Sequence, residues 1–270
     1  MATANRTTPH MLDIKLSARS GRIADMIQSF RDVPARVMPY AASTALTRTA
    51  QALAKTVLPG EMQRVFDRPN RYTLNSLRVK PATKDKLAAS VWVKSDATNN
   101  GTRPEDYLLP NVAGGARNEK RFERAMRYAG LLPTGWRAMP GQGAPLDEFG
   151  NLRRGEMQRI LTATRTAFDP YQRKTNSARS RKNAKKAPYF AVTPLTGRFV
   201  GGEYRETPNR LQPGVYRREG KGIKPVLIFT KTQPKYRQRL DFVGVSERFT
   251  VQTFPAEFDR AAQAILSRPR

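Results

Sequence analysis

The chain has 270 residues, 39% of them hydrophobic, with 20 prolines and 18 glycines, so it can bury a core, but one broken into short elements and long connections. Its 49 Lys and Arg face 22 Asp and Glu, a formal charge of +27 that repels itself unless a polyanion or an acidic neighbour lies against it. With no cysteine and one histidine, disulfide frameworks, thiol nucleophiles and multi-histidine metal sites are excluded, and the one histidine, His10, lies in a polar terminal arm unsuited to a catalytic triad.

Residues 1–10 are polar, read as a loose arm, and lack the apolar stretch of a secretion signal. Leu12, Ile14 and Leu16 alternate with Asp13 and Lys15, the period of a half-buried strand. Ile23, Met26, Ile27 and Phe30 follow at helical spacing and stop before Pro34. The strongest helix then runs from Ala35 to Val57, with Pro39 in its first turn and Pro59-Gly60 as its end, and Glu61 to Phe66 can add one more helical turn. Ala41, Ala42, Ala45 and Ala52 give it a small-residue face that must pack closely, in the core or against a sister subunit.

Asp67 to Asn70 read as a turn, and Leu74–Lys80 and Leu87–Lys94 as a strand pair. In the second strand Leu87, Ala89, Val91 and Val93 share one face, while Ala88, Ser90, Trp92 and Lys94 share the other. Residues 104–168 read as mainly helical: 105–109, then 118–129 with Gly130 at the cap, then about 156–167. A proline- and glycine-rich stretch, 132–150, separates the last two.

Between Tyr171 and Ala187 there is no acid, and Arg173, Lys174, Arg179, Arg181, Lys182, Lys185 and Lys186 make a basic loop. It would contact DNA phosphates without reading sequence, or dock on an acidic protein. The strand pattern returns at 189–193, 214–218 and 226–230. Phe249, Val251 and Phe254 read as a last extended segment, and a helix begins near Pro255. The expected class is α+β: a mixed or antiparallel sheet, built from both ends of the chain, on a long Ala-rich N-terminal helix. Residues 1–94 and 188–270 would form that core, with 95–187 as a largely helical and loop insert.

Catalysis finds little material. The lone His10 sits in the arm, and no glycine-rich stretch has the lysine context of a phosphate-binding loop. The acid pairs Glu105-Asp106 and Asp147-Glu148 lie among turn residues, unsuited to gathering carboxylates around Mg²⁺. No cofactor or metal is expected, and no enzyme. Two other basic groups stand out. Lys231, Lys235, Arg237 and Arg239 surround Tyr236, where base stacking competes with packing against Leu240. Arg117, Lys120, Arg121, Arg124 and Arg127 share the middle helix with Glu119 and Glu123, as a salt-bridged, solvated face.

The stretch Pro39-Tyr40-Ala41-Ala42-Ser43-Thr44-Ala45-Leu46-Thr47-Arg48-Thr49-Ala50, continued by Ala52-Leu53-Ala54, resembles the N-terminal helix of the minor tail protein Z family of long-tailed phages, with Thr47 in place of the usual asparagine. Phe66 to Leu74, Lys80 to Lys84, Gly114 to Arg117, Pro145 to Asn151, Pro213 to Arg217 and Pro225 to Phe229 are similar to a longer subgroup of phage proteins. The resemblance implies a virion protein, made in the host cytoplasm, that completes the head-proximal end of the tail. Its partners would be the connector or portal, tail proteins, further copies of itself in a ring, and DNA, with no membrane. It carries over no catalytic residues. The rival reading is a non-virion, basic nucleic-acid-binding protein acting in packaging or regulation.

Overall fold

The alternating segments near the amino end pair as a sheet. β1 (Asp13–Ser17) and β2 (Leu77–Lys80) flank β3 (Ala88–Val93) in a three-stranded antiparallel array. The computed structural model describes residues 12–17, 21–30, 33–96, 102–164, 166, 188–193, 197–200, 203–206, 211–220 and 222–267. Two units divide the chain, Met1–Gly115 with Tyr236–Arg270, and Ala116–Lys235. The class is α+β.

In the first unit the inward side chains of β3, Ala89, Val91 and Val93, are fully buried. They meet the helix α2 (Met38–Ala52), which has Pro39 in its first turn and follows the short helix α1 (Gly21–Ser29). The buried side of α2 is Ala41, Ala42, Ala45, Leu46, Thr49 and Ala50. Small side chains let another helix approach closely, and that helix is α8 (Phe242–Leu266) from the far end of the chain. Phe242, Ser246, Thr250, Phe254, Phe258 and Ala262 recur every fourth residue along α8, and all are buried. Phe30, just beyond α1, stacks on Phe258 with ring centroids 4.3 Å apart.

Two expected helix boundaries are corrected. Pro59-Gly60 does not end the N-terminal helix. Leu53–Val57 widens into a π-helical turn, in which the Leu58 N–H donates to the Leu53 carbonyl, and α3 (Leu58–Val65) continues from it. A proline lacks an N–H and crowds the carbonyl four residues back; the wider turn accommodates both, and burial of Leu58 and Met62 favours continuing. The second correction concerns Phe249, Val251 and Phe254, which are helical rather than extended. Pro255 lies inside α8 and removes one helical hydrogen bond, but the buried four-residue stripe spans it and holds the helix together.

α4 (Arg71–Leu74) is capped by Asn70, whose side-chain oxygen accepts from the Thr73 N–H at 2.9 Å. α5 (Pro104–Ala113) buries Leu108 in the same core as α2 and α8. The core therefore extends past residue 94. Gly115–Ala116 (β4) and Lys235–Tyr236 (β11), where the chain leaves and returns, pair as a two-stranded ribbon.

The second unit has its own sheet. β5 (Arg137–Pro140), β6 (Tyr189–Val192), β9 (Gly214–Glu219) and β10 (Gly222–Thr230) lie in the order β5-β10-β9-β6, every pair antiparallel. β7 (Gly197–Val200) and β8 (Glu203–Glu206) pair as a hairpin. Helices α6 (Arg121–Tyr128) and α7 (Arg154–Ala163) contribute Ala125, Met126, Ile160 and Leu161 to its core. The strands after 188 thus pair with one another and with β5 rather than joining the N-terminal sheet, so the inserted unit is 116–235 and is rich in strands. Short connections favour such local pairing. Pro225 has no N–H for the ladder, and the register shifts between it and Leu227, turning Val226 into the core. Opposite this bulge Gly214 is required, because a Cβ there would lie 2.2 Å from the Leu227 carbonyl oxygen.

Ala45 is fully buried, so Ala45→Leu must displace neighbours and should destabilise the first unit by about 1–3 kcal/mol. Chemical denaturation reads this as a lower midpoint with an unchanged slope.

Candidate nucleic-acid interface

The alanine face resolves into two parts. Ala41, Ala42 and Ala45 are core residues of this chain. Ala52 is only half-buried and lines a shallow basin with Arg48, Lys55, Glu257 and Arg260. The basic loop residues Arg173, Lys174, Arg179, Arg181, Lys182, Lys185 and Lys186 lie outside the described residues.

Of the second basic group, Lys231, Lys235, Arg237 and Arg239 are all exposed. Tyr236 is exposed too, whereas Leu240 is fully buried in the first unit's core, so these two do not share a packing role. The acid pairs serve the backbone and neighbouring cations. Asp147 accepts from the amides of Phe149 and Asn151, closing a turn, and Asp106 pairs with Arg103 at 2.9 Å. Among the described residues no cluster of three or more His, Cys, Asp or Glu could hold a metal. No described helix is long and apolar enough to cross a membrane.

The middle helix departs furthest from expectation. Arg127 and Glu119 form the expected paired surface, with two hydrogen bonds of 2.9 and 2.8 Å. Arg117 and Glu123 do not: their side chains are 8% and 0% exposed. Arg117 donates to both Glu123 oxygens, at 2.8 and 2.5 Å, and the amides of Lys120 and Ala138 donate to the same carboxylate at 2.7 and 2.8 Å. Glu123 therefore joins α6 to its preceding loop and to strand β5. Burial by itself raises a carboxyl, but the Arg117 guanidinium and the two amides outweigh it and hold Glu123 below the ordinary carboxylate value. The legible signal was position: an acid at the third residue of a helix, placed to accept from the amide before its first turn. Its burial depends on β5, whose Ala138 amide reaches it from a proline- and glycine-rich stretch without a strand pattern.

After α6 comes a tight stop. Gly130 has φ +73°, its N–H donates to Arg127, and the Leu131 N–H donates to Met126, the paired closure of a left-handed cap.

Cations not consumed in this way collect on two surfaces of the first unit. One is the basin of about 430 Å³ beside the π-helical turn, lined by Arg48, Gln51, Lys55, Thr56, Glu257 and Arg260. Glu257 engages Arg48 at 3.7 Å and also pairs with Arg260, so two arginines share one carboxylate and Lys55 lines the basin beside them. The other is the outward face of the three-stranded sheet, where Lys15, Arg78 and Lys80 are exposed around Trp92. Both have the chemistry of an anion contact. Comparison with family models, curated proteins and solved structures finds no match for this chain.

Glu123→Gln would leave Arg117 buried without its counter-charge, and should destabilise the second unit by about 3–5 kcal/mol. The depressed pKa sets the sign of the pH dependence. The pair's contribution is complete above the unfolded carboxylate value and is lost as pH falls through the lower, folded one. Wild-type stability should therefore drop on acidification through and below the ordinary carboxylate range. The drop should be smaller in Glu123→Gln, as followed by urea unfolding at a series of pH values.

Proposed function

We propose that the chain is a structural virion protein of a tailed phage, a tail-completion or neck component that joins the tail to the head connector around the DNA exit path. The observation that carries this reading is the charge of +27, together with the engagement of buried and half-buried acids such as Glu123, Glu119 and Glu257 in internal pairs. Outward cations left in such excess need an anionic neighbour. Resemblance of the Pro39–Ala54 helix and the later segments to phage proteins supports placing that neighbour in a particle. Several copies would assemble through contacts other than Ala41, Ala42 and Ala45, which the core occupies. Connector and tail proteins would meet part of the basic surface, and DNA the rest, because a channel that gripped DNA with all of it would stop DNA from sliding. The role is assembly, not catalysis.

The same charge favours a second reading, a basic nucleic-acid-binding protein outside the particle. Quantitative analysis of purified particles separates the two: stoichiometric presence is expected, and absence would remove the neck role.

The basic loop has its own test. If Arg173, Lys174, Arg179, Arg181, Lys182, Lys185 and Lys186 contact duplex phosphates, log K should fall with log salt by about 0.9 per contact. Replacing Arg173, Lys174, Lys185 and Lys186 with glutamine should flatten that slope by roughly three to four units, whatever the sequence. If they dock on an acidic protein, DNA affinity holds and incorporation into particles falls.

A further inference from the structure

The basin beside the π-helical turn is built by a polar stripe on α2 and on the turn that continues it. Arg48, Gln51, Ala52, Lys55 and Thr56 stand at three- and four-residue spacings, so they share one side of the helix. Glu257 and Arg260, one turn apart on α8, line the opposite side. Ala52 lies four residues from both Arg48 and Thr56, and its single methyl group leaves a hollow of about 430 Å³ that a longer side chain would fill.

Glu257 places the two arginines without cancelling the charge around them. Its Oε1 accepts from Arg260, and its Oε2 lies 3.7 Å from Arg48, beyond hydrogen-bond reach. Arg48, Gln51, Lys55 and Thr56 are exposed, and among the described residues their side chains donate no hydrogen bond. Three cations and one carboxylate leave an excess of two positive charges around a concave surface. A phosphate monoester carries about −1.5 to −2 charges at neutral pH and three strong acceptor oxygens. It matches that excess, and the Gln51 amide and Thr56 hydroxyl supply neutral donors beside the cations. A phosphodiester or a lone carboxylate brings one charge and leaves a cation unmatched. A second copy of the same basin is poorer still, since it would bring like charges together.

We propose that this basin binds a phosphate monoester, with Arg48, Lys55 and Arg260 on its oxygens and Glu257 positioning the two arginines. Two sources carry that group: a small phosphorylated molecule and the 5′ end of a nucleic-acid strand. The site stands apart from the neck role and does not involve the 173–186 loop. Calorimetric titration of the full chain with thymidine 5′-monophosphate should show saturable binding. Thymidine should not bind, and the methyl ester of the nucleotide, a diester, should bind more weakly. Arg48→Gln should weaken nucleotide binding by roughly 10- to 100-fold, the loss of charge-assisted hydrogen bonds. Ala52→Leu alters no charge and should abolish binding by filling the hollow. Arg48 is exposed, so its variant keeps the test decisive if Ala52→Leu lowers the urea midpoint. Replacing Arg173, Lys174, Lys185 and Lys186 with glutamine removes more charge and should leave nucleotide binding unchanged.

Tighter binding of a 5′-phosphorylated oligothymidylate than of its 5′-hydroxyl form, with the difference lost in Arg48→Gln, assigns the strand end. Equal binding of the two, with nucleotide binding intact, assigns the small molecule. Equal binding of the two without nucleotide binding overturns the site. So does an equal loss in the loop variant and in Arg48→Gln, which marks general attraction to a basic surface. Displacement of the nucleotide by an equimolar glutamate peptide also overturns it, because the occupant is then an acidic protein.

Discussion

One seam holds the first unit together, the packing of α2 against α8. The two helices come from opposite ends of the chain and share a core in which α2 supplies small side chains and α8 supplies Phe242, Phe254 and Phe258. Large against small is how two helices come close while filling the space between them. The seam also explains the irregularities near it. A π-helical turn just ahead of Pro59 and a proline inside α8 persist because interrupting either helix would expose this shared surface. The three-stranded sheet is then closed on its inner side by α2, which leaves its outer side for other uses.

Electrostatics follows a division of labour. The chain has fewer than half as many acids as bases, and several of those acids are turned inward or sideways onto particular arginines: Glu123 on Arg117, Glu119 on Arg127, Glu61 on Arg64 and Asp106 on Arg103. Arg64 hydrogen bonding draws Glu61 below its usual value, as Arg68 does for Asp67. Acid used in this way fixes local structure and no longer offsets the outward cations. A protein built so keeps its fold and its surface field on separate groups. Trading surface arginines should therefore alter association far more than stability.

What the sequence disclosed was local. The alternation of 12–16 and 87–94, the spacing of Ile23, Met26 and Ile27, and the glycine after 118–129 each correspond to an observed strand, helix or cap. These features depend on neighbours two to four residues away. Features set by distant partners stayed hidden. β5 lies in a proline- and glycine-rich stretch and forms only because β10 offers an edge. The four-residue stripe of α8 was obscured by Pro255, whose penalty is local while its compensation comes from α2. Sheet membership was misjudged for the same reason: alternation reveals a strand's buried face but not the strand beside it. For the candidate surface, the grouping of Ser90 and Trp92 on one face was legible, and the rows that place Arg78 and Lys15 beside Trp92 required the register.

The division of the chain has a consequence for synthesis. Residues 116–235 form a continuous segment that can fold as soon as it leaves the ribosome, whereas the first unit needs α8, the last of its elements to be made. Until then α2 has the sheet against it but not α8. The side of α2 that packs on α8 lacks its partner throughout translation of the intervening unit. That interval is when a nascent chain is most exposed to mispairing with another copy. The same +27 that asks for an anionic partner in the finished protein keeps two such chains apart while they wait.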